Sequence, residues 1–306
     1  MSSANTIQHL THPAIDRQKW DACIDRSSNG LIYAHSFYLD TMAIQWDALV
    51  LNNYEAVMPL TWNRKYGISY LYQPFLAAQL GIFGNNLAGQ VIHHFIQSIP
   101  ASFRYIDIYL NSGNLAAAPG EFLLRRDNYV LDLNPPYEKL YNNYRDTTRR
   151  NIKKARQAGC LVQKNIAVEK IIALALQQMR LHDKAVEENI NRFRKLFRLL
   201  QEQKKTVTYG ITLGEELLAS AVFFFSHSRA YYILVGNHPN GKTIGASHAL
   251  IDAFISDHAE QPLLLDFEGS DIRNLAFFYS SFGAVQEIYP ALKINRLPFY
   301  LRWLKK

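Results

Sequence analysis

The sequence predicts an α+β protein with mixed α/β sheets, arranged as two halves in tandem, and three observations lead there. The chain has 306 residues, more than a single hydrophobic core usually organises. Asn134-Pro135-Pro136 is the strongest local break, because consecutive prolines cannot continue a helix or an interior strand. Beyond it the apolar pattern reads β-α-α-β-β-β-α-β-α-β-β. The expected halves are therefore residues 1–134 and residues 135–306. Residues 298–306 are expected as a tail that packs back on the first half.

In the first half, Ile15–Ile24 places Trp20 and Ile24 on one side of a helix. Ala48–Asn52, Ala56–Trp62 and Ile68–Tyr72 read as strands, separated by Asn52-Asn53 and Tyr66-Gly67. Leu87–Ser98 is expected to be a helix stopped by Pro100. Arg104–Leu110, Phe122–Leu124 and Tyr129–Leu133 read as three further strands. After the prolines, Tyr137–Tyr144 and Thr147–Ala158 are expected helices, the latter ended by Gly159. Cys160–Lys164 reads as a strand, and Val168–Lys184 and Asn191–Lys204 as long helices with apolar residues three and four apart. Three strands follow at Val207–Leu213, Leu217–Phe225 and Ala230–Val235. Then come a helix at Gly245–Glu260, a strand at Leu263–Phe267 and a helix at Ile272–Phe282. A hairpin of Val285–Tyr289 with Lys293–Leu297 and a short amphipathic tail close the chain.

Composition excludes several classes. Hydrophobic residues make up 48% and charged residues 19%, a globular balance. No apolar run approaches the roughly 20 residues of a membrane span, and the polar N-terminus lacks a signal-peptide pattern. Cys23 and Cys160 sit in no metal or redox spacing, and His227, His238 and His248 are too scattered to suggest a metal. A cytoplasmic location is the default expectation. The net charge of +7 favours anionic partners, and it is concentrated: Arg145–Arg156 holds six basic residues and one acid. Arg149 with Lys153, and Arg150 with Lys154, form adjacent stripes on a helix. Arg149, Arg150 and Lys153 are thus candidates for a phosphate-bearing substrate or a tRNA backbone; a solvated helix face is the plainer alternative.

Two segments carry candidate chemistry. Val235–Ser247 is a strand end, a glycine-containing loop and a helix start, and a helix N-terminus offers unpaired N–H groups to an anion. Val235, Gly241, Lys242, Thr243, Gly245, Ala246 and Ser247 are the expected contacts: the glycines for close approach, Lys242 for charge, the hydroxyls as donors. A polar connecting loop is the alternative. In the second segment, Leu263–Phe267 delivers Asp266 and Glu268 to the carboxyl end of a strand, where open α/β sheets bind ligands. Either acid could take a proton from an amine. The alternatives are Asp266 paired with a core base and Asp271 capping the next helix. Glu187-Glu188 and Asp183, between two helices, read as a surface turn.

The order strand, loop, helix, strand and a helix bearing Tyr279 four residues before Gly283 resembles the GNAT acyltransferase core. The basic helix Arg149–Ala155, the strand end Asp266-Phe267-Glu268-Gly269 and the turn Phe282-Gly283-Ala284 resemble the FemAB group of tandem GNAT proteins. The resemblance runs from about Leu131 to Leu297. It implies two tandem GNAT-like domains, residues 1–134 mainly structural and helping to form an acceptor cleft and residues 135–306 catalytic, and a strand near Tyr231, Tyr232 and Val235 that splays to admit the acyl group. It also implies Tyr279 as proton donor to the leaving group. The implied reaction is transfer of an acyl or aminoacyl group from acyl-CoA (acetyl-CoA) or aminoacyl-tRNA to an amine, on a small molecule or a peptidoglycan precursor, with no tightly bound cofactor. Two departures are visible. Phe277-Phe278-Tyr279-Ser280-Ser281 has no basic residue where FemAB enzymes carry one, and Asn240–Ala246 keeps only the last glycine and alanine of the GNAT loop. The alternatives are a catalytically degenerate GNAT-fold ligand-binding module, or an RNA-associated protein using helix 145–156.

Overall fold

The computed structural model describes residues 6–115, 123–179, 184–269, 271–299 and 301–302. The first elements are β1 (Ile7–Leu10), α1 (Arg17–Arg26), α2 (Ser36–Met42), β2 (Gln45–Leu51), β3 (Ala56–Lys65), β4 (Ile68–Tyr72), β5 (Phe83–Gly84), α3 (Gly89–Gln97) and β6 (Phe103–Tyr109). There follow β7 (Leu123–Asp132), α4 (Tyr137–Asn142), α5 (Asp146–Gln157), β8 (Leu161–Lys164), α6 (Val168–Met179) and α7 (Lys184–Glu202). The last are β9 (Thr206–Leu213), β10 (Glu216–Ser226), β11 (Arg229–Asn237), α8 (Pro239–Ile244), α9 (Ala246–His258), β12 (Leu264–Asp266), α10 (Arg273–Ser280) and β13 (Val285–Asn295). The fold class is the expected one, mixed α+β.

Two compact units result: residues up to Arg126 together with those from Ile288 on, and Asp127–Glu287. In the first, the sheet order is β1-β2-β3-β4-β6-β13, with β5 beside β3. Its core gathers Leu49, Met58, Leu71, Ile92, Phe95 and Ile106. The C-terminal strand belongs here because Ala291–Asn295 pairs antiparallel with Tyr105–Tyr109, which the break at Asn134-Pro135-Pro136 gave no hint of.

Several local expectations are corrected. The expected strands Phe122–Leu124 and Tyr129–Leu133 are one strand, β7 (residue 122 lies outside the described residues), and the expected C-terminal hairpin is one strand, β13. Pro290 stands between the two expected strands, where its fixed φ fits an extended chain, and its carbonyl accepts from the Leu110 N–H at 2.8 Å. Strand β1 and helix α2 were not expected. The helix expected over Val168–Lys184 is described over Val168–Met179; residues 180–183, Asp183 among them, lie outside the described residues.

The second unit orders its strands β7-β12-β11-β10-β9-β8. Strand β10 is central, buried on both faces from Leu218 to Phe224, which its continuous Leu-Ala-Ser-Ala-Val-Phe-Phe run foreshadows. Helix α9 lies across it: the Phe223 and Phe254 rings stack 3.8 Å apart at 11°, and burial of each such ring contributes about 1.5–3 kcal/mol. Helix α6 packs on β11 closely enough that a Cβ at Gly236 would stand 2.8 Å from the Ala175 backbone nitrogen.

Candidate functional site

The site is built where β11 and β12 part. The two strands pair in parallel at only three positions, Arg229↔Leu264, Ala230↔Leu265 and Tyr231↔Asp266. Strand β12 ends there, while β11 runs on to Asn237, still paired with β10 on its other side. From Tyr232 onward β11 therefore has no strand partner on its β12 side among the described residues. A register shift adds one residue, Ile233, opposite Val222/Phe223, and such a bulge bends its strand.

Aromatic rings fill the crotch of this fork. Tyr232 is the first residue past the pairing on β11, and Phe267 the first on the other side. Tyr279 reaches them from α10, stacking on Phe267 at 4.6 Å and 20° and meeting Tyr232 edge-on at 6.4 Å. Tyr279 is 8% exposed. Burial first, and then the nearby charge of Glu268, push its phenol up to about 12. It is therefore a proton donor across the neutral range, not a phenolate. Burial likewise raises Tyr232.

The two acids expected at this strand end have different surroundings. Asp266 is buried. It accepts from Arg229 Nη1 at 2.7 Å, Asn128 Nδ2 at 2.9 Å and the Glu268 N–H at 2.8 Å. Arg229 also donates to Glu287 at 2.8 Å. Burial raises the Asp266 carboxyl, against the lowering effect of Arg229. For Arg229, burial pulls down but the Asp266 charge and Glu287 outweigh it, so it is held firmly protonated. Asp266 thus anchors the turn, as the paired-base alternative has it. That turn places Glu268 at φ 67° and Gly269 at φ 87°, two successive left-handed residues, of which a non-glycine is the costly one. Asp271 does not cap α10; its carboxylate accepts from the Asp127 N–H at 3.2 Å, and Ile272 stands at the N-cap.

The loop after β11 is packed with protein. Where an open glycine loop was expected, the six-residue helix α8 forms, and Gly245 (φ 87°) joins it to α9. A Cβ at Gly241 would lie 2.4 Å from the Leu218 carbonyl oxygen, and one at Gly245 2.5 Å from that of Asn151. Both glycines admit neighbouring backbone. The N–H groups of Gly241 and Gly245 donate to His238 O and Gly241 O, each at 3.0 Å. Thr243 donates to Asn240 O at 2.9 Å and Ser247 to Asn237 Oδ1 at 2.5 Å. Ala246 is buried, Val235 half-buried and Lys242 exposed.

The basic helix α5 borders this loop through Asn151. Arg149 pairs with Asp146 at 2.5 Å and Arg156 with Asp252 at 2.8 Å, whereas Arg150, Lys153 and Lys154 lie exposed on α5. His248, on α9, meets Asn151 at 3.3 Å and the Phe278 ring edge-on at 4.8 Å, and burial lowers it to about 4. It is a neutral packed side chain at pH 7. Sequence reading missed Asn128 and Arg229, which hold the Asp266 turn; an Arg opening a strand and an Asn 138 positions from its partner carry no local signal. A cavity of about 520 Å³ lies apart from the fork, in the first unit, beside His12, Arg17, Asp40 and Trp46. Cavity size alone does not locate the chemistry.

Residues 142–271 match the acetyltransferase (GNAT) domain family. Among solved structures the chain is similar to FemX, at 12% identity and TM-score 0.66, covering 97% of this chain and 99% of that one. It is also similar to a tandem GNAT protein from the clavulanic acid biosynthesis pathway, at 10% identity and TM-score 0.54, covering 96% and 99%. L-PGS from Bacillus licheniformis follows at 11% identity and TM-score 0.50, covering 94% and 95%. No curated protein matches by sequence. The matched residues all lie within the second unit. By fold, the whole chain is similar to FemX and to a tandem GNAT protein. Among the described residues no helix is long and apolar enough to cross a membrane.

Proposed function

We propose that the chain transfers an acyl or aminoacyl group from an oxygen ester, of the aminoacyl-tRNA kind, to an amine. The observation that carries this reading is the fork at Tyr231/Asp266, with Tyr279 in its crotch. The free edge of β11 from Tyr232 offers backbone groups to an extended acyl or aminoacyl chain. The acceptor nitrogen attacks the ester carbonyl carbon and the carbon–oxygen bond breaks. Tyr279 gives its hydroxyl proton to the departing alkoxide, and Glu268 takes the proton lost by the amine. The products are an amide and a free hydroxyl. Acid–base assistance of this kind contributes roughly 100- to 10,000-fold in rate.

Two features favour an oxygen ester over a coenzyme A thioester. A phenol at about 12 gives up its proton readily to an alkoxide but uphill to a thiolate, whose conjugate thiol titrates near 8.5 by the cysteine reference, about. The loop that would face a pyrophosphate is closed by α8, its glycines filled by Leu218 and Asn151. The test is thermal stabilisation and transfer measured with acetyl-CoA, aminoacyl-tRNA and uncharged tRNA. Transfer from aminoacyl-tRNA with no response to acetyl-CoA supports the proposal. Turnover of acetyl-CoA overturns the choice of donor, and no response to any of the three favours a degenerate ligand-binding module.

A further inference from the structure

The start of α10 is unusual for a helix of a packed domain. Asp271, Ile272, Arg273, Asn274 and Leu275 are all exposed, as is Phe277. Ile272 is 63%, Leu275 40% and Phe277 54% exposed, so three large apolar side chains stand in solvent within six residues. Scattered exposed apolar residues need no explanation, but a cluster does. This cluster borders the basic helix. The Arg145 guanidinium lies 4.5 Å from the centroid of the Phe277 ring. Arg145 N donates to Ser281 O at 2.9 Å, and Thr148 Oγ1 to Ser281 Oγ at 2.7 Å. The N-terminal end of α5 is therefore bound to the C-terminal end of α10.

Around the apolar cluster and along α5 stand Arg145, Arg149, Arg150, Lys153, Lys154 and Arg273, against the acids Asp146 and Asp271. Asp146 neutralises Arg149. We infer that this surface docks on an anionic lipid bilayer, the cations meeting headgroup phosphates and Ile272, Leu275 and Phe277 entering the interfacial layer. An RNA backbone would satisfy the cations equally, and the Phe277 ring could stack on a base. The aliphatic pair Ile272 and Leu275 has no such use on RNA, and burying aliphatic side chains beside basic ones is what an anionic interface rewards. Docking here is reversible, because so small an apolar area adds modestly to the electrostatic attraction. It does not depend on which donor the fork uses.

The experiment is co-sedimentation of the full chain with vesicles of phosphatidylglycerol and phosphatidylcholine, with vesicles of phosphatidylcholine alone, and with uncharged tRNA as competitor. Binding to the anionic vesicles alone is expected, weakening as salt rises. Arg150→Glu with Lys153→Glu is expected to weaken it by more than about twenty-fold, at roughly fivefold or more for each basic charge lost. Leu275→Ser with Phe277→Ser is expected to weaken it by about tenfold while leaving the salt dependence in place. Unchanged melting temperatures establish that both variants are folded. Phe277→Trp supplies an emission that shifts to the blue on vesicles and is quenched by brominated acyl chains. Absence of binding to anionic vesicles overturns the inference, as does binding indifferent to the serine pair. Retention of tRNA alone, lost in the glutamate pair, assigns the surface to RNA instead.

Discussion

Two regions along the same strand, β11, have opposite characters. On the β12 side the sheet opens: pairing stops at Tyr231/Asp266, and a buried tyrosine with a nearby acid stands where it stops. At the C-terminal end the chain closes: the N–H groups of Gly241 and Gly245 are taken by backbone carbonyls, and the two glycines are pressed against Leu218 and Asn151, respectively. Glycine content made the second region look like the binding site. The difference shows that a glycine in a strand-to-helix loop serves whatever approaches it most closely, and here that is protein. Strand divergence depends on where pairing ends, and no residue type announces it.

The largest effect that sharpens this contrast lies under the fork. Arg229→Met leaves the buried Asp266 and the half-buried Glu287 without their shared cation, so a loss of about 3–5 kcal/mol is expected in urea unfolding. A loss below about 1 kcal/mol, the worth of a surface pair, breaks the claim that this triad anchors the turn. The next effect concerns the boundary of the closed region. His248 titrates near 6.5 when unfolded and about 4 when folded, so between these values the unfolded chain holds the extra proton. Its contribution is complete above pH 6.5 and is lost as pH falls toward 4, on the order of 3 kcal/mol. His248→Gln should flatten that part of the stability-against-pH curve; an unchanged slope assigns the dependence to other groups.

Smaller again is Gly245→Ala. A left-handed φ with the Asn151 carbonyl in the way predicts a loss of about 2 kcal/mol, read as a lower melting temperature. A neutral result means the junction can open, and reinstates it as a ligand loop. Lys242→Ala should be smallest, within about 0.5 kcal/mol of stability and without effect on transfer, because Lys242 is exposed on a closed helix. A clear rise in KM for the donor restores the anion site.

Much of the fold was legible because its elements are strongly periodic. The run Leu217–Phe225 and the long helices before it survive in the second unit, the second helix starting at Lys184 instead of Asn191, and the β-α-α-β-β-β-α-β-α order survives with α8 added before α9. The C-terminal strand was read as a hairpin because the pairing of Ala291–Asn295 with β6 is a long-range fact with no local signal. At the candidate site, Glu268 was named from its place after a strand, and Tyr279 from the resemblance to the GNAT core. Asp266 is engaged by Asn128 and Arg229, partners remote in sequence. The helical turn of α8 was hidden by Pro239, Asn240 and Gly241, residues that read as a loop yet suit a helix start.

The central claim is that Tyr279, in the crotch of the fork, is the acid of an acyl transfer. The most direct measurement is the single-turnover rate of transfer from an aminoacyl ester to an amine, Tyr279→Phe against the unaltered chain, with donor affinity measured in parallel. A loss of about a hundredfold or more in rate, at unchanged affinity and melting temperature, is the predicted result. An unchanged rate contradicts the assignment of the acid and, with it, of the fork as the place of chemistry.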